Sequence, residues 1–214
     1  MNTENHKRIR LGISSCLLGH EVRYNGQHKH DSFLTDTLGK YVDYLPVCPE
    51  VECGLPIPRE AMRLVGTPES PRLMTQKTGR DLTGQMLDWA RCRLEELEKE
   101  KLLGFIFKAK SPSSGMERVK VYNEKGGVIG KTSGMFAREF IKRFPLLPVE
   151  DEGRLHDDEL RENFVERIFT LDRYRRSVED DRSVGSLMKF HAENKLLLMS
   201  HSQDCVRAMG RCLA

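Results

Sequence analysis

The chain has 214 residues, of which 38% are hydrophobic and 31% are charged, and its formal net charge is +3. This length suits one domain, or one domain with a small addition, and the composition is that of a polar globular protein. No apolar run approaches the roughly 18 residues of a membrane span, and residues 1–10 lack the apolar core of a secretory signal, so the sequence predicts a cytoplasmic protein without a membrane segment.

The positive charge is concentrated in the first part of the chain. Residues 151–214 contain 11 Lys and Arg against 13 Asp and Glu, which leaves 24 against 19 in residues 1–150. An excess of positive charge attracts phosphate-bearing molecules. The distribution is therefore a weak indication that the first part acts on a phosphate-bearing substrate.

The pattern of apolar residues predicts a chain in which strands alternate with helices. Strands are predicted at residues 9–14, 41–47, 105–109, 119–122 and 146–149, with shorter extended pieces at 63–65 and 72–75. Helices are predicted at residues 31–39, 83–103 and 133–144. This alternation is typical of an α/β fold, in which a mostly parallel sheet is flanked by helices.

The character of the sequence changes after Glu150. One helical stripe of apolar residues runs from residue 160 to residue 174, and a second runs from residue 187 to residue 199. Helices over about sixty residues form a poor core by themselves. We therefore predict a first domain at residues 1–150 and a short all-α segment at residues 151–214, which we expect to be incomplete.

Three polar segments directly follow predicted strands: residues 15–16, 48–50 and 111–115. Ligands of open α/β sheets bind at the carboxyl ends of the strands. If these strands are parallel neighbours, the three segments converge on one edge of the sheet. The sequence therefore predicts a single site built from all three.

Residues 46–60 contain an unusually high number of reactive and conformationally restricted residues. They contain two thiols, three carboxylates, one arginine and four prolines. Prolines fix φ and remove backbone donors, so this segment is neither an ordinary helix nor a central strand. It is either a rigid functional loop or a proline-rich connection in which the thiols are incidental.

The six cysteines are expected to be free thiols, ligands or catalysts in a reducing compartment. Cys48 and Cys53 lack a second close cysteine pair, which argues against a zinc site. Cys16 and Cys48 each follow a predicted strand, and their soft thiolates suit a soft metal or an iron–sulfur cluster. Two thiolates are too few for such a site, and composition does not supply a third ligand.

Several motifs occur together in this chain. They are Ser-Cys-Leu-Leu-Gly at 15–19, Val-Cys-Pro-Glu-Val at 47–51, Gly-Leu-Pro-Ile-Pro-Arg at 54–59, Gly-Arg-Asp-Leu-Thr at 79–83 and Lys-Ser-Pro-Ser-Ser-Gly at 110–115. In combination they resemble the thiouracil desulfidase family over residues 8–150. Residues 151–214 resemble the start of the helical domain that is fused to it in the tRNA 4-thiouridine desulfidases.

The resemblance implies a 4Fe-4S cluster that is held by three cysteines and has one iron without a protein ligand. Cys16 and Cys48 take two of the ligand positions, and Ser114 stands where the family has its third cysteine. A serine hydroxyl is a harder ligand than a thiol and has a far higher pKa, so the cluster is expected to be weaker, altered or absent. Cys53 is the alternative third ligand.

The resemblance also implies the reaction. The open iron takes the thiocarbonyl sulfur, Glu50 acts as general base for water, and Ser111 assists near the substrate. The expected substrate is a thiolated uracil base, a nucleoside or tRNA, and the sequence leaves the oligomeric state open. The alternative is a catalytically impaired module that binds a nucleotide or RNA and lacks an intact cluster because of Ser114.

Overall fold

The computed structural model describes residues 8–179 and 181–213. Its strands are β1 (Ile9–Ser14), β2 (Val42–Val47), β3 (Met62–Gly66), β4 (Pro71–Thr75), β5 (Gly104–Phe107), β6 (Val119–Tyr122), β7 (Val128–Thr132) and β8 (Val149–Asp151). Its helices are α1 (Pro49–Glu52), α2 (Thr83–Lys99), α3 (Met135–Arg143), α4 (Asp158–Tyr174), α5 (Val184–Glu193), α6 (Lys195–His201) and α7 (Gln203–Leu213). Two compact units, Met1–Phe164 and Val165–Ala214, divide the chain.

The first sheet is parallel and has the strand order β2-β1-β5-β8. Its central strands β1 and β5 are almost wholly buried, including Leu11, Ile13 and Ile106. Strands that are covered on both faces are usual for parallel sheets. The predicted α/β fold with a mostly parallel sheet is confirmed.

A second sheet, which the sequence did not predict, has the order β4-β3-β6-β7. It consists of two antiparallel pairs that are joined by parallel pairing of β3 with β6. The strand β7 escaped prediction because Val128 and Ile129 are both exposed, so its sequence lacks the alternation of a half-buried strand.

One long helix, α2, contributes to the cores on both sheets. Met86 packs with the apolar face of the second sheet, whereas Ala90, Leu94 and Leu97 pack with the first. These positions recur at three- and four-residue spacing, as predicted for an amphipathic helix. The first core also contains an aromatic cluster of Phe105, Phe107, Phe136 and Phe140.

Several predicted boundaries shift by a few residues. The helix α2 ends at Lys99, since Lys101 has a φ of 51° and turns the chain before Gly104 begins β5. The predicted helix at 31–39 is a π-helical turn at Phe33–Thr37 followed by a 3-10 turn at Leu38–Lys40.

The unit Val165–Ala214 is helical, in agreement with the predicted all-α segment. The predicted helix at 187–199 is interrupted at Asn194, which lies between α5 and α6. The Asn194 amide donates a hydrogen bond to the Phe190 carbonyl and accepts one from Arg173. The placement of a domain boundary at residue 150 stays a prediction. Within residues 8–179 and 181–213, no helix has the length and apolar content that crossing a bilayer requires.

The aromatic cluster yields a stability prediction. Phe140 is fully buried, and its ring centroid lies 4.7 Å from that of Phe105. We expect Phe140→Ala to lower the free energy of unfolding by about 3–5 kcal/mol, because the substitution leaves a cavity. Chemical denaturation measures this change. The control is Leu146→Ala at a side chain that is 88% exposed, and an equal loss there would contradict the prediction.

Candidate active site

The carboxyl ends of β2, β1 and β5 are neighbours, and a cavity of about 360 Å³ opens beside them. The three polar segments that follow these strands therefore converge on one edge of the sheet, as the sequence predicted. The cavity is lined by Cys16, Cys48, Glu50, Ser111 and Ser114, to which the resemblance assigns ligand or catalytic roles, but not by the alternative ligand Cys53. Their chemical roles stay predictions.

Cys16 is held in a 3-10 turn, Ser15–Leu18, that begins directly after β1. Its carbonyl accepts a hydrogen bond from the backbone N–H of Lys29 at 2.8 Å. Burial raises the pKa of the Cys16 thiol to about 11, and the ammonium of Lys108 acts in the opposite direction. Without a metal, this thiol is protonated at neutral pH.

Cys48 lies between β2 and the short helix α1. Its backbone N–H donates a hydrogen bond to a carboxylate oxygen of Glu52 at 2.7 Å, and Arg93 pairs with the other oxygen at 3.1 Å. Burial raises the pKa of the Cys48 thiol as well. The Glu52 carboxylate therefore fixes the turn that carries Cys48, and Glu52 does not line the cavity.

Glu50 forms a buried ion pair with Arg59. The Glu50 Oε2 atom accepts from the Nε of Arg59 at 2.8 Å and also from its Nη2, and the two side chains are only 14% and 5% exposed. Arg59 Nη2 donates further to the Val22 carbonyl at 2.8 Å. Arg59 is therefore the partner of a buried carboxylate.

A chain of hydroxyl groups reaches the other oxygen of Glu50. Ser113 Oγ donates to Glu50 Oε1 at 2.7 Å and lies 2.9 Å from Ser111 Oγ. Because a hydroxyl has one proton, Ser113 can only accept from Ser111 while it donates to Glu50. Ser111 Oγ accepts in turn from the backbone N–H of Ser114 at 3.1 Å. The hydroxyl protons are thus directed toward the carboxylate.

The loop that contains these serines is seated tightly on the start of α3. The Ser113 carbonyl accepts a hydrogen bond from the Phe136 N–H at 2.9 Å, and the Gly115 carbonyl accepts one from the Gly134 N–H at 2.7 Å. A Cβ atom at Gly134 would lie 2.7 Å from the Ser113 carbonyl. Glycine at this position therefore allows the close approach that fixes the loop.

Ser114, the residue predicted as third ligand, lines the cavity. The residue is 4% exposed, and none of the residues in the described part of the chain forms a hydrogen bond with its hydroxyl. Cys53 does not line the cavity, because its thiol lies against the Glu50 carbonyl at 3.3 Å and packs with the core of the second sheet. Of the two residues predicted as a third ligand, Ser114 lines the cavity and Cys53 does not.

A metal ion or cluster needs several donor side chains that face one point. Across residues 8–179 and 181–213, no three His, Cys, Asp or Glu side chains form a group that could hold a metal ion. The thiols of Cys16 and Cys48 and the hydroxyl of Ser114 do line the same cavity. By donor type alone, this set is that of a site with two soft sulfur ligands and one harder oxygen ligand.

Sequence reasoning missed Ser113 and Lys108. Ser113 stands next to the residue expected to be a ligand, and only its distance to Glu50 reveals its place in the hydroxyl chain. Lys108 lines the cavity and pairs with the buried Glu152. The Glu152 carboxylate also accepts from the Ala109 N–H at 2.6 Å, and this contact fixes the end of β5.

Comparison with known proteins agrees with this geometry. A sequence model of the 2-thiouracil desulfurase family matches residues 11–152. The chain belongs to this family. A curated relative is the uncharacterized protein YbbK of Bacillus subtilis (strain 168), which is 33% identical over 111 residues, or 48% of this chain and 71% of YbbK.

A solved structure with a similar fold is that of the [4Fe-4S]-dependent thiouracil desulfidase TudS. It aligns with a TM-score of 0.57 and 29% sequence identity, over 73% of this chain and 99% of TudS. The family and this structural neighbour both point to chemistry on a thiouracil ring.

The Glu50–Arg59 pair yields a prediction for the free energy of unfolding. Arg59→Met removes the guanidinium but leaves the carboxylate buried, so we expect a loss of about 3 kcal/mol. Chemical denaturation tests this value. Arg91→Met is the matched control, because Arg91 pairs with Asp88 at 3.3 Å while both side chains are 74% exposed, and this pair contributes at most about 1 kcal/mol. Equal losses in the two variants would contradict a special role for the Arg59 pair.

Proposed function

We propose that this protein is an iron–sulfur-dependent desulfidase that replaces the sulfur of a thiolated uracil ring with oxygen. The observation that supports the proposal is the meeting of two thiols, the Ser114 hydroxyl and an oriented carboxylate in one cavity. Membership of the 2-thiouracil desulfurase family supplies the substrate class. The proposed substrates are 4-thiouridine in tRNA and free thiouracil.

Cys16, Cys48 and Ser114 would hold a 4Fe-4S cluster at the carboxyl ends of the parallel strands. When bound, a cluster with one iron free of protein ligands supplies a Lewis acid for the thiocarbonyl sulfur. The neighbour TudS is described as [4Fe-4S]-dependent. The oxygen donor of Ser114 is harder than a thiolate, so we propose that this chain holds its cluster more weakly than three cysteines would.

Glu50 is the proposed general base. It removes a proton from the water that attacks the ring carbon, and the carbon–sulfur bond then breaks as sulfur leaves as hydrosulfide. One carbon–oxygen bond replaces one carbon–sulfur bond, so no net oxidation or reduction occurs. The ion pair with Arg59 orients the Glu50 carboxylate. Because Oε2 accepts twice from Arg59 and Oε1 accepts once from Ser113, a lone pair on Oε1 is left for the water proton.

The hydroxyl chain gives Ser111 and Ser113 distinct parts in this scheme. Ser111 is the proposed contact to the substrate, since its hydroxyl lines the cavity and points through Ser113 toward Glu50. Ser113 is a positioning residue that holds the carboxylate and connects it to Ser111. A proton taken near Ser111 can reach Glu50 through this chain.

A catalytically impaired binding module is the second candidate function. It is favoured by the hydroxyl of Ser114, which offers one soft donor fewer than the three cysteines that the resemblance implies. In this case the cavity binds a thiolated nucleotide or RNA without turnover.

Activity after anaerobic cluster reconstitution tests the main proposal. We expect loss of the thiocarbonyl absorbance of 4-thiouridine with release of sulfide, and we expect Glu50→Gln to lower kcat by at least about 100-fold, as for removal of a general base. Iron content should be equal in both proteins. Glu69→Gln at an exposed carboxylate is the control. Unchanged absorbance in a sample that contains the cluster would refute the proposal.

The third ligand position is tested by iron and sulfide analysis. We expect Ser114→Cys to retain more iron per chain after dilution than the natural protein, because a thiolate is a softer ligand. Ser70→Cys adds a thiol at an exposed site and should change nothing. If Ser114→Cys and the natural protein hold equal iron, Ser114 is not a limiting ligand.

A further inference from the structure

A row of cations crosses the second sheet on the face turned away from its core. Lys120 on β6 is paired directly with Lys131 on β7. On the other side of β6, the register of Leu64 with Val121 places Arg63 of β3 beside Lys120. Neighbouring strands lie about 4.8 Å apart, so three cations occupy a short line. We call Arg63, Lys120 and Lys131 the cationic row.

Without a bound ligand, the cationic row lowers the stability of the fold. Like charges directly opposite each other on antiparallel strands are destabilising. Within residues 8–179 and 181–213, no carboxylate lies within ion-pair distance of Arg63, Lys120 or Lys131. The nearby carboxylates have other partners, since Glu117 pairs with Arg118 and Arg154, and Glu124 pairs with Arg72. A bound polyanion would offset this repulsion.

The cationic row lies along a groove that adjoins the catalytic cavity. The groove has a volume of about 510 Å³, and Lys110 and Arg118 add two further cations to its walls. None of the described residues that line it is acidic. Met62, Gln76, Lys110 and Pro112 line both the groove and the cavity, so the two spaces share a wall.

An aromatic side chain completes the groove. Tyr122 follows Lys120 on the same face of β6, and the guanidinium of Arg63 lies 5.5 Å from the centre of its ring. Aromatic rings beside cations are the usual surface for single-stranded nucleic acids, because bases stack on the ring while the cations meet the phosphates. A free thiouracil base has no phosphate for the row to meet.

We infer that the cationic row binds the phosphodiester backbone of an RNA strand while the thiolated base of that strand enters the catalytic cavity. This inference rests on the proposed desulfidase function, which supplies the base. It assigns the binding of the flanking nucleotides to the second sheet, on the same unit as the cavity. The polymer, rather than the free base, is then the better substrate.

The double variant Lys120→Ala/Lys131→Ala tests the inference in the reconstituted full chain. The probe is a labelled, unmodified oligouridylate, so binding is measured separately from turnover by fluorescence anisotropy at several salt concentrations. We expect affinity to fall on the order of tenfold, and the slope of log K against log salt to fall by about 1.4, since each phosphate contact of a single strand contributes about 0.7. The melting temperature should not fall, because the substitutions remove a repulsion.

The control Lys40→Ala/Lys142→Ala removes the same charge from two exposed lysines outside the groove. It should bind the oligouridylate like the natural protein. Turnover of the 4-thiouridine nucleoside should be equal in all three proteins, whereas turnover of a 4-thiouridine-containing oligonucleotide should fall only in the Lys120→Ala/Lys131→Ala variant.

These measurements distinguish an error in the RNA-binding inference from an error in the proposed desulfidase function. In one case the nucleoside is converted, but Lys120→Ala/Lys131→Ala (the groove variant) binds RNA as tightly as the natural protein, or the control loses the same affinity. This result would refute the RNA-binding role of the cationic row and leave the proposed desulfidase function intact. If nothing is converted but only the groove variant loses RNA affinity, the surface stands and the function fails. Equal displacement of RNA by polyglutamate would overturn the assignment to RNA, in favour of an acidic protein partner.

Discussion

The parallel pairing of β1 with β2 and β5 is the constraint on which the site depends. Parallel neighbours end at the same edge of a sheet, and the segments that leave β1, β2 and β5 carry Cys16, Cys48 and Ser114 respectively. No local structure could join these residues, because 98 residues separate the first from the last. The buried apolar side chains that hold the three strands together therefore also hold the donor atoms together.

Within this frame, the polar groups around Glu50 form one connected arrangement. A buried carboxylate is costly unless it is paired and hydrogen-bonded. Arg59 meets one oxygen and Ser113 meets the other, so the cost is offset on both sides. The same contacts orient the carboxylate toward the cavity, which makes stability and proposed catalysis depend on the same atoms.

The second sheet has a different character from the first. The first sheet is covered on both faces and supplies the rigid strand ends, whereas the second leaves one face open and carries opposed lysines on it. A sheet face that retains like charges in direct opposition gives up some stability. The open face lies beside the cavity, where the RNA strand of the inferred complex would neutralise these charges.

The sequence by itself determined the alternation of strands and helices, the polar segments at strand ends, and the two cysteines among them. These features are local, since apolar periodicity and residue type are visible in short windows of sequence.

Only the tertiary structure decided the pairing of Glu50 with Arg59, the place of Ser113 between Glu50 and Ser111, and the absence of Cys53 from the cavity wall. The second sheet and the cationic row are likewise visible only in the tertiary structure. Ser113 and Glu50 are 63 residues apart, and Arg63 and Lys120 lie on strands that are separated by β4, α2 and β5. Such contacts arise from the way the chain crosses between the sheets, and no short window of sequence contains both partners.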